Sequence, residues 1–271
     1  MLSGPASLPA VDGPSPFKTV YRDFRYIIRR SQSIGGRDIL VMASFASLVS
    51  GLSVNKNGVN RGIKTLLNEN GNGEGGSFHG FKFLGERGVV SGIGALFIIG
   101  GLEAGSQREV ETGAMILESY LFSGFFTLIG QFILAEERPY NGGDLKFFKA
   151  DGHGVSGHSA LAASLVCPVT HQYLKRDPAD GKPLAVTKEI LRVVVWGLPL
   201  MTGISRVEDG EHYFWNVILG LTVGYGMGHL ITRSHEDARA GEMDNSGADS
   251  KTSPPSGGRL RWTPLSFSYT F

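Results

Sequence analysis

The sequence predicts an all-α fold: a bundle of about six helices, embedded in a membrane or associated with one, with a flexible C-terminal tail that ends in a short strand. Three observations predict it. Six apolar runs of helical length recur between residues 39 and 232. Glycine is abundant, at 39 of 271 residues, and many glycines fall inside those runs, which suits closely packed helices. Beyond residue 233 the apolar pattern gives way to a stretch rich in Ser, Gly, Asp and Pro.

The elements follow in order. Residues 1–16, rich in Pro, Gly, Ser and Ala, read as a disordered lead-in without the charged and apolar regions of a signal peptide. Residues 17–31, FKTVYRDFRYIIRRS, are basic and amphipathic: Tyr21, Phe24, Ile27 and Ile28 can share a face while the arginines point elsewhere. They form either an interfacial helix on a membrane surface or a solvated helix covering the core. The apolar runs then span 39–54, 89–102, 119–135, 159–174, 193–205 and 213–232. A spanning helix needs about 20 apolar residues, and only the last run reaches that. A mean hydropathy of −0.01 is also low for a multi-pass protein. A short-helix membrane bundle and a compact bundle that only touches the membrane therefore compete, and the membrane version is preferred. Residues 70–76, NGNGEGG, read as a flexible loop. The helical domain is bounded at 17–233, a linker at 234–258 and an extended segment at 259–271, where Leu265, Phe267, Tyr269 and Phe271 alternate with small polar residues at the period of a strand.

A net charge of +1 excludes bulk nucleic-acid binding. The single cysteine, Cys167, excludes a disulfide framework and a cysteine-based zinc cluster, and reads as a small buried hydrophobe.

Polar residues punctuate the helices at selected ends. In VSGHSA, Ser156 and Gly157 deliver His158 at the mouth of the fourth run. Exposed N–H groups at a helix N-terminus, a hydroxyl and an imidazole make an anion site. In AEERPY, Pro139 stops the third run and leaves Arg138 at its C-terminal end. In SRVEDGEHYFWN, Arg206 ends the fifth run and His212 opens the sixth. Asn216 lies four residues on from His212, and its side-chain oxygen can accept the Nδ1–H and leave Nε2 as a nucleophile. Antiparallel packing brings alternate helix ends to one side, which collects two guanidiniums, two imidazoles and one helix N-terminus. Guanidiniums bind phosphate bidentately, and two histidines of opposite role suit phosphoryl transfer. Glu136, Glu137, Glu208, Asp209 and Glu211 read as a solvated acidic rim or as partners of the arginines, and His153 as a loop residue.

The order RP, SGH and SR-x5-H resembles the type 2 phosphatidic-acid phosphatase superfamily, which also holds bacterial acid phosphatases and vanadium haloperoxidases. The pattern of that superfamily is K-x6-RP, then PSGH, then SR-x5-H-x3-D. Here the motifs read QFILAEERP, VSGH and SRVEDGEHYFWN, spanning residues 131–216. The resemblance implies a helical bundle that hydrolyses phosphomonoesters without metal or other cofactor. His212 would attack phosphorus, His158 would protonate the leaving oxygen, and Arg138, Arg206, Ser156 and the Gly157 N–H would hold the phosphoryl oxygens. It implies a phosphorylated lipid or a small phosphomonoester as partner, contact with membrane lipids, and, in a bacterial envelope, a site facing the periplasm.

Three departures accompany the match. Gln131 replaces the family Lys, Val155 replaces Pro, and Asn216 replaces the Asp behind the nucleophile. Lys146 or Lys149 is a candidate to restore the missing charge. The departures keep open a degenerate member that binds phosphate or lipid without turnover, and the family keeps open a vanadium-dependent haloperoxidase.

Overall fold

A computed structural model describes residues 16–67 and 76–247. The expected lead-in (apart from Pro16), most of the glycine-rich loop and the expected C-terminal strand lie outside the described residues. The chain divides into two compact units, Met1–His235 and Glu236–Phe271. The described part of the second unit, through residue 247, is helical.

The all-α expectation holds. Among the described residues the helices are α1 (Pro16–Ser31), α2 (Gly36–Val54), α3 (Lys56–Leu66), α4 (Arg87–Ala104), α5 (Gln107–Ile133), α6 (Gly157–Ser164), α7 (Val166–Tyr173), α8 (Lys182–Glu208) and α9 (Phe214–Gly247). A 3-10 turn at His79–Gly85 precedes α4. Two three-residue strands, β1 (Leu134–Glu136) and β2 (Leu145–Phe147), pair antiparallel with Ala135 opposite Lys146.

Every apolar run becomes helix, with instructive differences. The fourth run forms two helices because Pro168 lacks an N–H and its ring collides with the carbonyl four residues back, at Ser164, where α6 ends. The third run stops at Ile133, and its last residues enter β1, so Arg138 sits on the hairpin and not at a helix end. Residues 234–247, expected as linker, continue α9. The second and fifth runs grow at both ends; the first, third and fourth begin earlier than their apolar residues, and the sixth extends beyond them. α2, α4, α5, α8 and α9 are long and apolar enough to cross a membrane, where the runs alone left only the last one long enough. The segments added at the ends are partly polar and extend each helix beyond its apolar centre; α5 and α8 reach 27 residues, about 40 Å at 1.5 Å per residue. Their exposed surface is apolar: Leu40 on α2, Leu96 on α4, Leu128 on α5 and Val193 on α8 are all more than half exposed. Such belts have lipid as their solvent, and we read the chain as membrane-embedded.

Close helix contacts set the position of the site. Gly105, at φ 64° in the left-handed region, ends α4 and turns the chain into α5. On α9, Gly220, Gly224 and Gly228 form a stripe at four-residue spacing. Any Cβ there would collide with the carbonyls of Ser156, Ala160 and Ser164, which carry the same spacing along α6. α6 and α9 therefore meet backbone to backbone. That contact brings the N-terminus of α6, with His158, beside the N-terminus of α9, with His212.

Candidate active site

A cavity of about 760 Å³ opens at this end of the bundle. Its polar wall contains Gln131, Arg138, His153, Gly157, His158, Arg206 and His212. Six of the eight residues singled out by sequence thus meet around one space. Ser156 and Asn216 do not line it.

His212 precedes α9 in the short link from α8. Its Nδ1 lies 3.2 Å from the His153 carbonyl oxygen. A carbonyl can only accept, so Nδ1 carries the proton and Nε2 keeps its lone pair. The orienting acceptor is therefore a backbone carbonyl and not Asn216, contrary to the sequence expectation. The Asn216 amide is committed elsewhere. Its oxygen accepts the Tyr213 N–H (2.8 Å), the reach-back half of a helix cap. Its Nδ2 donates to Glu136 Oε2 (2.8 Å) and to the Gly154 carbonyl (3.0 Å). Asn216 thus fastens the 153–154 backbone to α9 and acts on His212 only through that backbone. Glu136, 1% exposed, completes the support: Lys56 donates to its Oε1 (2.7 Å), and the His153 N–H donates to its backbone carbonyl (2.9 Å). Lys56 also donates to the Gly143 carbonyl and lies 4.7 Å from the centre of the Tyr213 ring.

His158 occupies the first turn of α6. Ser156 precedes that turn, fully buried, with its N–H donating to the Asn216 carbonyl (3.0 Å) and its hydroxyl accepting from Ser159 (2.9 Å). It builds the turn from below and is no part of the cavity wall. Gly85 lies against the His158 backbone, and any Cβ there would collide with the His158 carbonyl. His158 Nε2 is 3.8 Å from Glu86 Oε1.

The two guanidiniums come from the hairpin and from the last turn of α8. Arg206 pairs with Asp209 (3.0 Å) and approaches Glu211 (3.6 Å), and Arg138 pairs with the same Glu211. Asp209 and Glu211 are thus partners of the arginines. Glu136 and Glu208 are buried and not part of a solvated rim. Gln131 donates to the Val155 carbonyl (2.8 Å), clamping the loop that leads into α6. Lys146 pairs with Glu137, and neither Lys146 nor Lys149 lines the cavity. The cation that the cavity gains is Arg87, at the start of α4, which sequence reasoning missed together with Glu86.

This electrostatic setting acts on the imidazoles. Burial, followed by the Arg206 and Arg138 charges, pushes His212 down to about 3. Burial and Arg206 also lower His158, and burial and Arg138 lower His153. At neutral pH the cavity holds neutral imidazoles among fixed guanidiniums, an arrangement that receives an anion.

Comparison with known proteins bears on the same segment. The family model of the PAP2 superfamily matches residues 113–240. This part of the chain is similar to that superfamily. The match runs from α5, through the hairpin and α6, into α9, and so contains both histidines and both paired arginines. No curated protein and no solved structure matches the chain.

Proposed function

We propose that the protein hydrolyses a phosphomonoester, with a lipid phosphate as substrate, through a phosphorylated His212. The observation that carries this reading is the convergence of an Nδ1-protonated His212, His158 at a helix N-terminus, and Arg138 and Arg206 on one cavity. His212 Nε2 attacks phosphorus, and the phosphorus–oxygen ester bond breaks. The leaving oxygen takes a proton from His158. A bound phosphate dianion offsets the cations that disfavour the protonated His158 in the resting site, so substrate itself arms the acid. Water, giving its proton back to His158, then attacks the phosphorus of phospho-His212 and releases phosphate. Arg138, Arg206, Arg87 and the Gly157 N–H neutralise the equatorial oxygens throughout.

The lipid reading rests on the other wall. Leu121, Phe125 and Leu128 of α5 line the cavity and are also more than half exposed on its apolar flank. The mouth therefore lies on a surface that faces hydrocarbon, where a chain can stay while its phosphate enters. The basic residues of α1 (Lys18, Arg22, Arg25, Arg29, Arg30) and of the link around Arg176 lie at the opposite end of the bundle. By the excess of positive charge on the cytoplasmic side, this supports a cavity opening away from the cytoplasm, the periplasm in a bacterial cell.

A degenerate, phosphate-binding member is the second reading, favoured by the missing lysine and by the acidic partners already held by both arginines. The deciding experiment is phosphate release by purified protein in detergent and chelator, from phosphatidic acid, phosphatidylglycerol phosphate, isoprenyl diphosphate and a chromogenic monoester. Turnover that disappears in His212→Ala supports hydrolysis. Phosphate binding without turnover above that variant gives the second reading.

A further inference from the structure

The far end of the bundle holds a second group of ionisable side chains that the chemistry above does not use. We propose that Asp23 of α1, Glu118 of α5 and His235 of α9 form a binding site for a divalent metal ion of the zinc class, which fastens the basic N-terminal helix to the bundle.

Asp23 is 0% exposed, Glu118 6% and His235 7%. One ligand atom from each lies within 4.8 Å of the others. Ionisable groups this deeply buried are costly unless they are paired or coordinate a metal. The pattern of hydrogen bonds shows what they lack. Asp23 Oδ1 has two donors, Ser234 Oγ at 2.6 Å and Arg22 Nε at 3.0 Å. Asp23 Oδ2 is buried and has none. It lies 3.6 Å from His235 Nε2, whose nearer neighbour is Glu118 Oε2 at 2.7 Å. Two carboxylate oxygens thus converge on one ring nitrogen, which carries at most one proton and serves one of them. A cation between the three atoms serves all of them. Two carboxylates and a neutral imidazole carry two negative charges, which a divalent ion cancels.

The far side of the ring fits the same reading. His235 Nδ1 faces Glu111 Oε1 at 3.6 Å. A metal-bound imidazole characteristically donates its other N–H to a carboxylate, which fixes its tautomer and raises its basicity. Oxygen and imidazole ligands, three from the protein with room for water, match zinc and its neighbours among the divalent transition metals. The site is distant from the catalytic cavity: Glu118 and Gln131 are thirteen residues apart on α5, about 20 Å along the helix. The ion takes no part in hydrolysis. It ties α1 to α5 and α9, while Phe17, Tyr21, Phe24 and Ile28 of α1 remain exposed.

The test uses the untagged full chain in detergent, stripped with chelator and titrated with Zn²⁺, with bound metal measured by elemental analysis. His212→Ala serves as a control for the histidines of the cavity. We expect one equivalent in the wild type and in His212→Ala, none in Glu118→Gln or His235→Asn, and a zinc-dependent rise in melting temperature only where zinc binds. Zinc uptake that survives Glu118→Gln, or that is lost in His212→Ala, overturns the proposal. Should the cluster variants fail to fold, Co²⁺ titration of the wild type decides: a visible d–d band from nitrogen and oxygen ligation supports the site, and its absence refutes it.

Discussion

α9 has one histidine just before its start and another well inside it, and the two have opposite surroundings. His212, just before the helix, has two guanidiniums nearby and gives its Nδ1–H to a backbone carbonyl. His235, 23 residues later, has carboxylates of Asp23, Glu111 and Glu118 within 3.6 Å. The residue type is the same, and the neighbours set what each can bind: an anion at the first, a cation at the second. The contrast also shows how each is held. Backbone groups and a buried amide fix the first, whereas side chains from two other helices, α1 and α5, fix the second.

The comparison can be broken most severely at the nucleophile. His212→Ala should lower phosphate release on the order of 10⁴-fold or more, since it removes the group that takes the phosphoryl group. Next come the guanidiniums. Arg206→Lys should lower kcat by about 10²-fold, the scale of one lost transition-state contact, because Lys cannot hold two oxygens in a fork.

Asn216→Asp tests the support of the cavity. Restoring the family residue should not raise turnover here. A carboxylate at 216 would face Glu136 Oε2 and the Gly154 carbonyl, both acceptors, and would lose about 2–4 kcal/mol of stability, read as a fall in melting temperature. Glu136→Gln in the same chain should recover much of that loss. A large gain in turnover from Asn216→Asp alone would show that the amide does not have the role assigned above.

Smaller effects follow from charge. Glu211→Gln removes the carboxylate that competes with phosphate for Arg138 and Arg206, so KM should fall a few-fold, with kcat changed less. The depressed pKa of His212 also makes stability depend on pH. The unfolded imidazole takes up a proton as pH falls below about 6.5, and the folded one resists until about 3. Its contribution is therefore present above pH 6.5 and is lost as pH drops through that window. Melting temperatures between pH 7.5 and 4.5 should fall less steeply in His212→Ala than in the wild type.

Much of the candidate site was legible because its side chains sit in short local motifs where the apolar runs begin or break off. The helices themselves were legible as apolar runs, and the Gly220, Gly224, Gly228 stripe was open to reading as a close-contact face. What escaped depends on partners distant in sequence. The direction of the Asn216 amide is set by Glu136, 80 residues earlier, and the acceptor for His212 is a carbonyl, which has no side-chain signature. Arg87 was within reach: antiparallel packing puts the start of α4 on the same side as the end of α5. α3 is polar and short, so its Lys56 and Asn60 carried no apolar signal. Asn60 nonetheless bonds both the Phe214 N–H and the His212 carbonyl, and so helps set the start of α9.

The most direct test of the central claim is to trap the intermediate. Protein mixed with phosphatidic acid, quenched in alkali where phosphohistidine persists, and analysed by peptide mass spectrometry should carry a phosphoryl group on His212, and none in His212→Ala. Phosphate release in the wild type with the phosphoryl group on another residue, or with no covalent intermediate under rapid quench, would contradict the account.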